Sequence, residues 1–190
     1  MNERQETAAP PDQTPSAARP PGYPVELEQS LTLRDSRRVF IRPIIPADEL
    51  ILEHELREAD AETLYQRFFT TQPKLDAKRR YFMVHIDYRW RLALVAFAED
   101  GRAVGIGRYE GAPGPAQAEI ALVISPAWRR VGLASRVLHL LTEAARARGL
   151  RRFVALCLQD NQAMAALLAH AGFDPPQPNA GVAVAEKTLF

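Results

Sequence analysis

The sequence predicts an α+β domain (an α/β mixed sheet) in which one sheet packs with helices. Three observations predict this class. Short apolar segments with the alternation of strands recur along the chain, segments of helical period separate them, and a strand–turn–helix–strand order in the second half adds one βαβ unit. The 190 residues, 47% of them apolar and 25% charged, suffice for one folded domain with its own core.

The N-terminal residues do not share this pattern. Residues 1–24 carry six of the 15 prolines and no large aliphatic residue, so they cannot bury enough apolar surface to offset the entropy cost of folding. We therefore predict a Pro-rich, disordered tail over residues 1–27 and a folded domain over residues 28–190. A spacer role for the tail is favoured over a docking or regulatory role.

The first half of the predicted domain combines a hairpin with helices. Two apolar segments, L-T-L from Leu31 and R-V-F-I-R-P-I from Arg38, flank the polar R-D-S-R and predict a short β-hairpin. A first helix begins at Pro46, where a proline and two acids suit a first helical turn. A second helix is predicted from near Asp60 and a third from Leu75 to Met83.

The second half predicts a βαβ unit preceded by a tight hairpin. Asp100-Gly101 is a strong hairpin signal, and the apolar residues after Gly132 fall on one helical face that Gly149 ends. The predicted strands cover Arg91 to Glu99, Ala103 to Tyr109, Ala118 to Ile124, Arg152 to Leu158 and Val182 to Leu189, and the predicted helices cover Gly132 to Arg148 and Asn161 to Ala171.

The segment S-P-A-W-R-R-V-G-L-A-S, Ser125 to Ser135, is the most informative part of the chain. It joins an apolar strand to a helix start, where unpaired backbone N–H groups and the positive end of the helix dipole favour a pyrophosphate. Gly132 lets the backbone approach the phosphates, Ala134 keeps the first turn clear, and Arg129 and Arg130 add positive charge. An ordinary helix start after a strand is the alternative. The sequence contains neither G-x-G-x-x-G nor G-x-x-x-x-G-K-S/T.

In this R-x-x-G-x-A pattern the sequence resembles the GNAT acetyltransferases, whose pyrophosphate loop reads Q/R-x-x-G-x-G/A between a central strand and a helix. The resemblance covers roughly Ser30 to Phe173 and is closest to the GNAT domains of bacterial protein lysine acetyltransferases that modify acyl-CoA synthetases. It implies acetyl-CoA as cosubstrate and the GNAT fold, in which a central, mostly antiparallel sheet is flanked by helices and splays at the acyl-CoA site. The blocks that carry it are L-R-D-S-R-R-V-F-I-R-P-I from Leu33, E-T-L-Y-Q-R-F-F from Glu62, H-I-D-Y from His85, A-E-I-A-L-V-I from Ala118 and D-N-Q-A-M-A-A-L-L-A-H-A-G-F from Asp160.

The resemblance also assigns residues to the acetyl-CoA site. Arg130 and Val131 depart from the commoner loop, in which a glycine and a basic residue are frequent at these positions. Asn161 is similar to the asparagine that hydrogen-bonds the pantetheine arm, and a helix N-cap is the equally weighted alternative. The implied cosubstrate-binding residues are Leu122, Val123, Ile124, Arg129, Arg130, Val131, Gly132, Leu133, Ala134, Ser135 and Asn161.

Glu119 is the candidate general base. It interrupts an apolar strand, where a carboxylate is costly unless it has a role or a partner, and it shares a face with Ala121 and Val123. The resemblance implies that the glutamate at this A-E-I position takes the proton of the acceptor lysine, whose ordinary pKa is about 10.4. We expect burial among apolar residues to make Glu119 a stronger base, and a backbone N–H near Val123 or Ile124 to polarise the thioester oxygen. An exposed glutamate near a strand end is the alternative.

The general acid has no assigned residue. Many GNAT enzymes have a tyrosine that protonates the leaving thiolate, and the matching position here is Leu168. Cys157 lies among apolar strand residues and is interpreted as a buried structural thiol rather than a nucleophile. The pairs Asp87-Tyr88 and Tyr65 with Arg67 are candidates for the acceptor site, and surface or core roles are equally weighted for them.

Composition excludes several other classes of function. The formal net charge of +1 lacks the field needed to hold nucleic acid, and no segment is a signal peptide or long enough to span a bilayer. With a single cysteine, the chain is expected in a reducing cytoplasm. H-E-L-R-E at His54 falls short of H-E-x-x-H, so we predict no metal, and Gly105-Ile106-Gly107 is interpreted as close packing within a strand.

These observations favour an N-acetyltransferase that moves the acetyl group of acetyl-CoA to a lysine ε-amine of a protein, with acyl-CoA synthetases as the leading partners. The lysine acceptor is implied by the resemblance alone. The alternatives are acetylation of a small amine or of a protein N-terminus, and a catalytically weak CoA-binding regulator. An open groove would favour a protein acceptor, and a closed pocket would favour a metabolite.

Overall fold

The computed structural model describes residues 19–74, 76–114 and 116–190, which form one eight-stranded sheet flanked by five helices and confirm the predicted mixed α+β class. The strands are β1 (Gln29–Thr32), β2 (Arg38–Pro43), β3 (Arg91–Ala98), β4 (Ala103–Gly111), β5 (Gln117–Ile124), β6 (Arg152–Leu158), β7 (Gln177–Asn179) and β8 (Val182–Thr188). The helices are α1 (Glu49–Glu58), α2 (Ala61–Phe68), α3 (Ala77–Val84), α4 (Leu133–Ala147) and α5 (Gln162–His170).

The order of strands in the sheet is β1-β2-β3-β4-β5-β6-β8-β7. Neighbouring strands are antiparallel except β5 and β6, which run parallel and are joined through α4. The predicted βαβ unit is therefore present. Its geometry brings the carboxyl ends of β5 and β6 and the N-terminus of α4 to one edge of the sheet, where ligands of such units bind.

The two faces of the sheet carry separate hydrophobic clusters. The larger cluster includes residues of α4 and α5 and buries Tyr109, Leu141 and Phe153 completely. The smaller cluster joins Leu52 of α1 and Val84 of α3 to the opposite face of the sheet. The domain is therefore a helix–sheet–helix sandwich with a thin layer on the α1–α3 side.

Gly105 and Gly107 of β4 bring α4 close to the sheet. A Cβ atom at Gly107 would collide with Val137 of α4, and one at Gly105 would lie 3.3 Å from Cδ2 of Leu133 of α4 and 2.7 Å from Cδ1 of Ile124 of β5. This close approach confirms the packing role that the sequence predicts for Gly105-Ile106-Gly107.

The structure differs from the sequence-based expectations at both ends of the domain. Tyr23 and Leu27 pack against the larger cluster, and Val25–Leu27 forms a 3-10 helix, so the predicted tail over residues 1–27 is wrong for residues 19–27. Residues 1–18, and Leu75 at the predicted start of α3, lie outside the described residues. Strand β7 was not predicted because its sequence, Gln-Pro-Asn, is exposed and has no apolar alternation.

Arg42 and Asp48 form a buried ion pair that ties β2 to the segment before α1. Nη1 and Nη2 of Arg42 each donate to a carboxylate oxygen of Asp48 at 2.7 Å, and the N–H of Ile45 donates to the same carboxylate at 2.8 Å. Both charged side chains are only 4% exposed. Removing one partner would therefore leave the other charge buried without compensation.

We expect Asp48→Asn to lower the free energy of unfolding by about 3–5 kcal/mol because it leaves the Arg42 guanidinium buried and unpaired. Urea unfolding measures this loss. The control is Glu143→Gln, which breaks the half-exposed pair with Arg146 on α4 and should cost less than about 1 kcal/mol. Equal losses in the two variants would contradict the assignment of a special role to the Arg42–Asp48 pair.

Candidate active site

Strands β5 and β6 separate halfway along their length. Their register runs from Gln117 opposite Arg152 to Ile120 opposite Ala155 and ends there. Beyond that point β5 continues beside β4 to Ile124, and β6 continues beside β8 to Leu158. The sheet is therefore splayed at the carboxyl ends of the parallel strands, as the resemblance implies.

Hydrogen bonds at the two ends of β5 show which backbone groups face this gap. The N–H of Ser125 donates to the carbonyl of Val104 on the β4 side at 3.0 Å, whereas the carbonyl of Ala116 accepts the N–H of Arg151 on the β6 side at 2.6 Å. Consecutive residues of a strand direct their backbone groups to opposite sides. Odd-numbered residues of β5 therefore pair with β4, and even-numbered residues face β6.

This alternation identifies the backbone N–H groups that a thioester in the gap would meet. Leu122 and Ile124 lie beyond the last residue pair of β5 and β6 and direct their N–H groups into the gap. Val123 directs its N–H toward β4 instead. Of the two positions near which the sequence predicts a polarising N–H, Ile124 fits this geometry and Val123 does not.

Gly132 prepares the start of α4 for an anion. It has a φ of 94°, in the left-handed region that favours glycine, and it forms no side-chain cap on the helix. The first helical hydrogen bond runs from the N–H of Arg136 to the carbonyl of Gly132 at 3.1 Å. The N–H groups of Leu133, Ala134 and Ser135 therefore have no acceptor within the helix and lie at the positive end of its dipole.

Arg129 has a structural role that the sequence did not indicate. Its Nε donates to the carbonyl of Ile124 at 3.1 Å, and its Nη2 donates to Oγ1 of the buried Thr63 on α2 at 2.7 Å. Arg129 thus ties the loop after β5 to α2. Arg130 is exposed, and its backbone adopts the left-handed conformation with a φ of 62°. The side chain of Val131 packs against the larger cluster.

Arg34 is a candidate phosphate ligand that the sequence analysis missed. Its N–H donates to the carbonyl of Val131 at 3.2 Å, and its Nε would lie 3.5 Å from a Cβ atom at Gly132. In the same turn, the guanidinium of Arg37 stacks 3.9 Å from the ring centre of Trp128. The turn between β1 and β2 therefore packs on the loop and brings an exposed cation beside Gly132. The only sequence signal was the basic R-D-S-R-R turn.

Glu119 lies on the face of β5 that also carries Ala121 and Val123, as predicted. Its side chain is exposed, so the expectation that it is buried among apolar residues is wrong. It lies one residue before the end of the pairing with β6, opposite Val154, and its partner on β4 is Glu110. Glu119 is therefore beside the splay and open to solvent.

A cavity of about 300 Å³ opens on the same face of the sheet. Ala121 and Val123 form part of its floor, and α1 and α2 form its walls. Most of the lining side chains are apolar, and Glu55 and Glu58 of α1 add carboxylates. Burial raises the pKa of the half-buried Glu55. This cavity adjoins the splay and is large enough to admit the end of a lysine side chain or a small amine.

Two arginines line the cavity beside Ala121. Arg108 of β4 is 5% exposed and pairs with Glu110, which also accepts a hydrogen bond from Nε of Arg91 at 3.3 Å. Arg67 of α2 is half-buried. Burial, followed by the charge of Arg108, lowers the pKa of Arg67 to about 10, so it is protonated at neutral pH.

Four other residues named in the sequence analysis have structural roles. Asn161 caps α5 by accepting the N–H of Met164 at 3.0 Å, which confirms one of its two predicted roles. Leu168 is fully buried, so α5 offers no acid at that position. Cys157 is buried and burial raises its pKa, as expected of a structural thiol. Tyr88 is buried and donates to the carbonyl of Ile44 at 2.8 Å.

Asp87 and Tyr65, two further candidates for the acceptor site, lie in different environments. Asp87 accepts backbone N–H groups from the three residues that lead into β3, at 2.7–3.0 Å, and therefore shapes that turn. Tyr65 is exposed on α2. Of the four residues proposed for the acceptor site, Arg67 is the one that the structure places in the cavity lining.

Within the described ranges, no three histidine, cysteine or acidic side chains come together as a metal-binding group. Over the same ranges no helix combines the length and apolar composition needed to cross a bilayer.

Comparisons with known proteins agree with this geometry. A family model described as an acetyltransferase (GNAT) domain matches residues 38–174. An acetyltransferase of Pseudomonas aeruginosa is 30% identical over 145 residues, which cover 75% of this chain and 78% of that protein. The GNAT domain of S. lividans PAT is 31% identical with a TM-score of 0.80, covering 87% of this chain and 99% of that domain.

An acetyltransferase of Salmonella typhimurium, solved with acetyl-CoA, shares the fold at 20% identity and a TM-score of 0.62, covering 80% of this chain and 94% of that one. The family match covers well over half of the present chain, and it identifies an acetyl-CoA-dependent transferase. The splayed strands and the uncapped, glycine-led start of α4 suit that cosubstrate. The chain belongs to the GNAT acetyltransferase family.

Proposed function

We propose that this acetyltransferase transfers the acetyl group of acetyl-CoA to a lysine ε-amine of a protein, with acyl-CoA synthetases as the first targets to test. The observation that carries the proposal is the likeness to the GNAT domain of PAT, a protein acetyltransferase, at 31% identity over 87% of the chain. The exposed Glu119 and the adjoining cavity support it, because a lysine on a large partner needs an accessible base.

The residues around the splay fit acetyl-CoA. The N–H groups of Leu133, Ala134 and Ser135 would bind the pyrophosphate, with Arg34 and Arg130 adding charge from either side of Gly132. The N–H groups of Leu122 and Ile124 would hold the pantetheine arm and the thioester oxygen in the gap. When bound, acetyl-CoA supplies an activated acetyl group.

Glu119 would take the proton from the acceptor amine. The protonated amine of a lysine is not nucleophilic, so a base must accept its proton, directly or through one water, as the amine attacks. Because Glu119 is exposed, solvent or a bridging water can relay the proton onward. Negative charge that develops on the thioester oxygen would be stabilised by the backbone N–H of Ile124 or Leu122.

The entrance to the cavity suits a protein partner. Tyr65 of α2 and Phe69, the residue that follows the helix, are exposed and flank Arg67 and Phe68, which line the cavity. Exposed aromatic residues beside a cleft are typical of surfaces that bind another protein. The α2 surface is therefore the side from which an acceptor protein would present its lysine.

Glu119→Gln should lower kcat by about 100- to 10,000-fold because it removes the base and keeps the shape of the side chain. Transfer of labelled acetyl groups to a purified acyl-CoA synthetase measures kcat, and mass spectrometry locates the modified lysine. Affinity for acetyl-CoA should not change.

The control for this experiment is Glu99→Gln, an exposed glutamate beyond the end of β3. Unchanged turnover in Glu119→Gln would contradict the role of Glu119 while leaving the lysine acceptor in place. Bound acetyl-CoA without transfer by the wild type to any protein or small amine would favour a CoA-binding regulator.

Arg34→Gln should weaken the binding of acetyl-CoA about two- to fivefold, because it removes an exposed cation beside the proposed pyrophosphate site. Isothermal titration calorimetry measures the affinity, and the difference should shrink at high salt. Arg38→Gln, an exposed arginine on β2 of the same hairpin, is the matched control. Equal affinities for the Arg34 and Arg38 variants would exclude Arg34 from the site.

A small amine is the second candidate acceptor, favoured by the shape of the cavity. A pocket of about 300 Å³ walled by two helices is more enclosed than a flat protein-binding groove. Turnover of free amines that exceeds turnover of every protein tested would favour this candidate.

A further inference from the structure

The cavity contains a buried guanidinium that is only partly satisfied. Arg108 is 5% exposed and contacts Glu110 through Nη2, but its Nε is buried and has no hydrogen-bond partner among the described residues. A buried polar atom without a partner is costly, and more so when it belongs to a charged group. The cavity therefore holds an arginine whose hydrogen bonding the protein itself does not complete.

Arg67 places a second guanidinium in the same wall. Within the described part of the chain, its direct side-chain contact is with the ring of Phe68, whose centre lies 4.9 Å from the guanidinium carbon. Arg67 and Arg108 are close enough to repel each other, which contributes to the lowered pKa of Arg67. Two guanidinium groups that are partly shielded from solvent are stabilised when an anion binds between them.

Nearby carboxylates do not balance these cations. Among the described residues of this wall, Glu110 is shared between Arg91 and Arg108, and Glu119 is the other carboxylate that attracts Arg67. Close to these guanidinium groups there are thus three arginines and two carboxylates. Glu55, Glu58 and Asp60 also line the cavity, but they are not among the charges that act on Arg67 or Arg108. One positive charge remains beside Ala121, whose small side chain leaves room above the floor of the cavity.

We propose that Arg67 and Arg108 form an anion subsite in the acceptor cavity and that this subsite binds a carboxylate carried by the amine acceptor. This inference rests on the proposed function in one respect, since it assumes that an amine acceptor enters this cavity. A carboxylate matches the fork of donors on a guanidinium. The phosphates of acetyl-CoA are assigned elsewhere, at Gly132.

The register of the strands sets the spacing between amine and carboxylate. Arg108 is opposite Ala121 on β5, and Glu119 is two residues before Ala121 on the same face. Such diagonal neighbours lie about 7–8 Å apart across a sheet. An acceptor that brings its amine to Glu119 therefore brings its carboxylate to Arg108 only if the two groups can lie about 7–8 Å apart. A free lysine meets this condition between its ε-amine and its own α-carboxylate, and a target lysine meets it when the side chain of a neighbouring acidic residue folds toward the ε-amine.

Matched acceptors that differ only in one carboxylate test the subsite. Nα-acetyl-lysine and Nα-acetyl-lysinamide share the ε-amine, and two lysine peptides that differ by Asp or Asn beside the lysine repeat the comparison in a protein-like context. For the wild type we expect kcat/KM to be at least about tenfold higher for the carboxylate member of one pair, mainly through KM. The pair that shows the preference identifies the source of the carboxylate.

Arg67→Gln should reduce this preference to near unity, because the carboxylate and neutral acceptors then meet the same uncharged side chain. Arg67→Lys should retain part of it, because the charge remains without the fork. Arg57→Gln, on the exposed side of α1, is the control and should keep the full preference. Arg67 is tested before Arg108 because the fold depends less on it.

Calorimetry with the acetylated product, Nα,Nε-diacetyl-lysine, and its amide gives a second measurement that needs no turnover. Wild type should bind the carboxylate form more tightly, and Arg67→Gln should bind both forms alike.

Equal affinity of the wild type for the two forms, together with equal kcat/KM in both acceptor pairs, would overturn the subsite. If Arg67→Gln instead lowers kcat equally for all acceptors, Arg67 stabilises the transition state and does not bind the carboxylate. That result would also overturn the subsite. Absence of turnover with every acceptor, but selective binding of the carboxylate, would reject the proposed function and leave the subsite standing.

Discussion

The end of the pairing between β5 and β6 is the constraint on which the rest of the site depends. A parallel pair inside a sheet normally satisfies its backbone groups along its whole length, yet here β5 follows β4 and β6 follows β8 after Ile120 and Ala155. The gap leaves backbone N–H groups of Leu122 and Ile124 available to a substrate. In the proposed complex, acetyl-CoA extends between these two strands.

The elements around the gap are held in place by contacts that do not themselves take part in chemistry. Arg129 joins the end of β5 to Thr63 of α2, so that α2 closes the α1–α3 face over the splay. The turn between β1 and β2 packs on the loop through Arg34 and Arg37. Glycines in β4 let α4 approach the sheet and fix where its N-terminus lies. The same contacts therefore frame both the proposed acetyl-CoA site and the proposed acceptor cavity.

The sequence predicted the fold well because most of its elements are locally encoded. Helix α4 follows from its periodicity and from Gly132 and Gly149 at its two ends, and strand β6 follows from its apolar composition. The loop at Gly132 follows from its position between strand and helix. The positions of Arg34 beside Gly132 and of Arg67 and Arg108 in one cavity wall could not be predicted in this way, because they bring together segments far apart in the chain. The exposure of Glu119 was missed for a related reason: alternation within β5 identifies a face, but not whether another element covers it.

A crystal structure with acetyl-CoA bound is the decisive measurement for the gap between β5 and β6. We expect the pantetheine arm to lie between residues 122–124 and 156–158, with hydrogen bonds to backbone groups of Leu122 or Ile124, and the pyrophosphate to accept hydrogen bonds from the N–H groups of Leu133 to Ser135. We also expect β5 and β6 to remain separated beyond Ile120 and Ala155. Acetyl-CoA bound outside the gap, or strands paired along their full length beside it, would show that the gap is not the cosubstrate site.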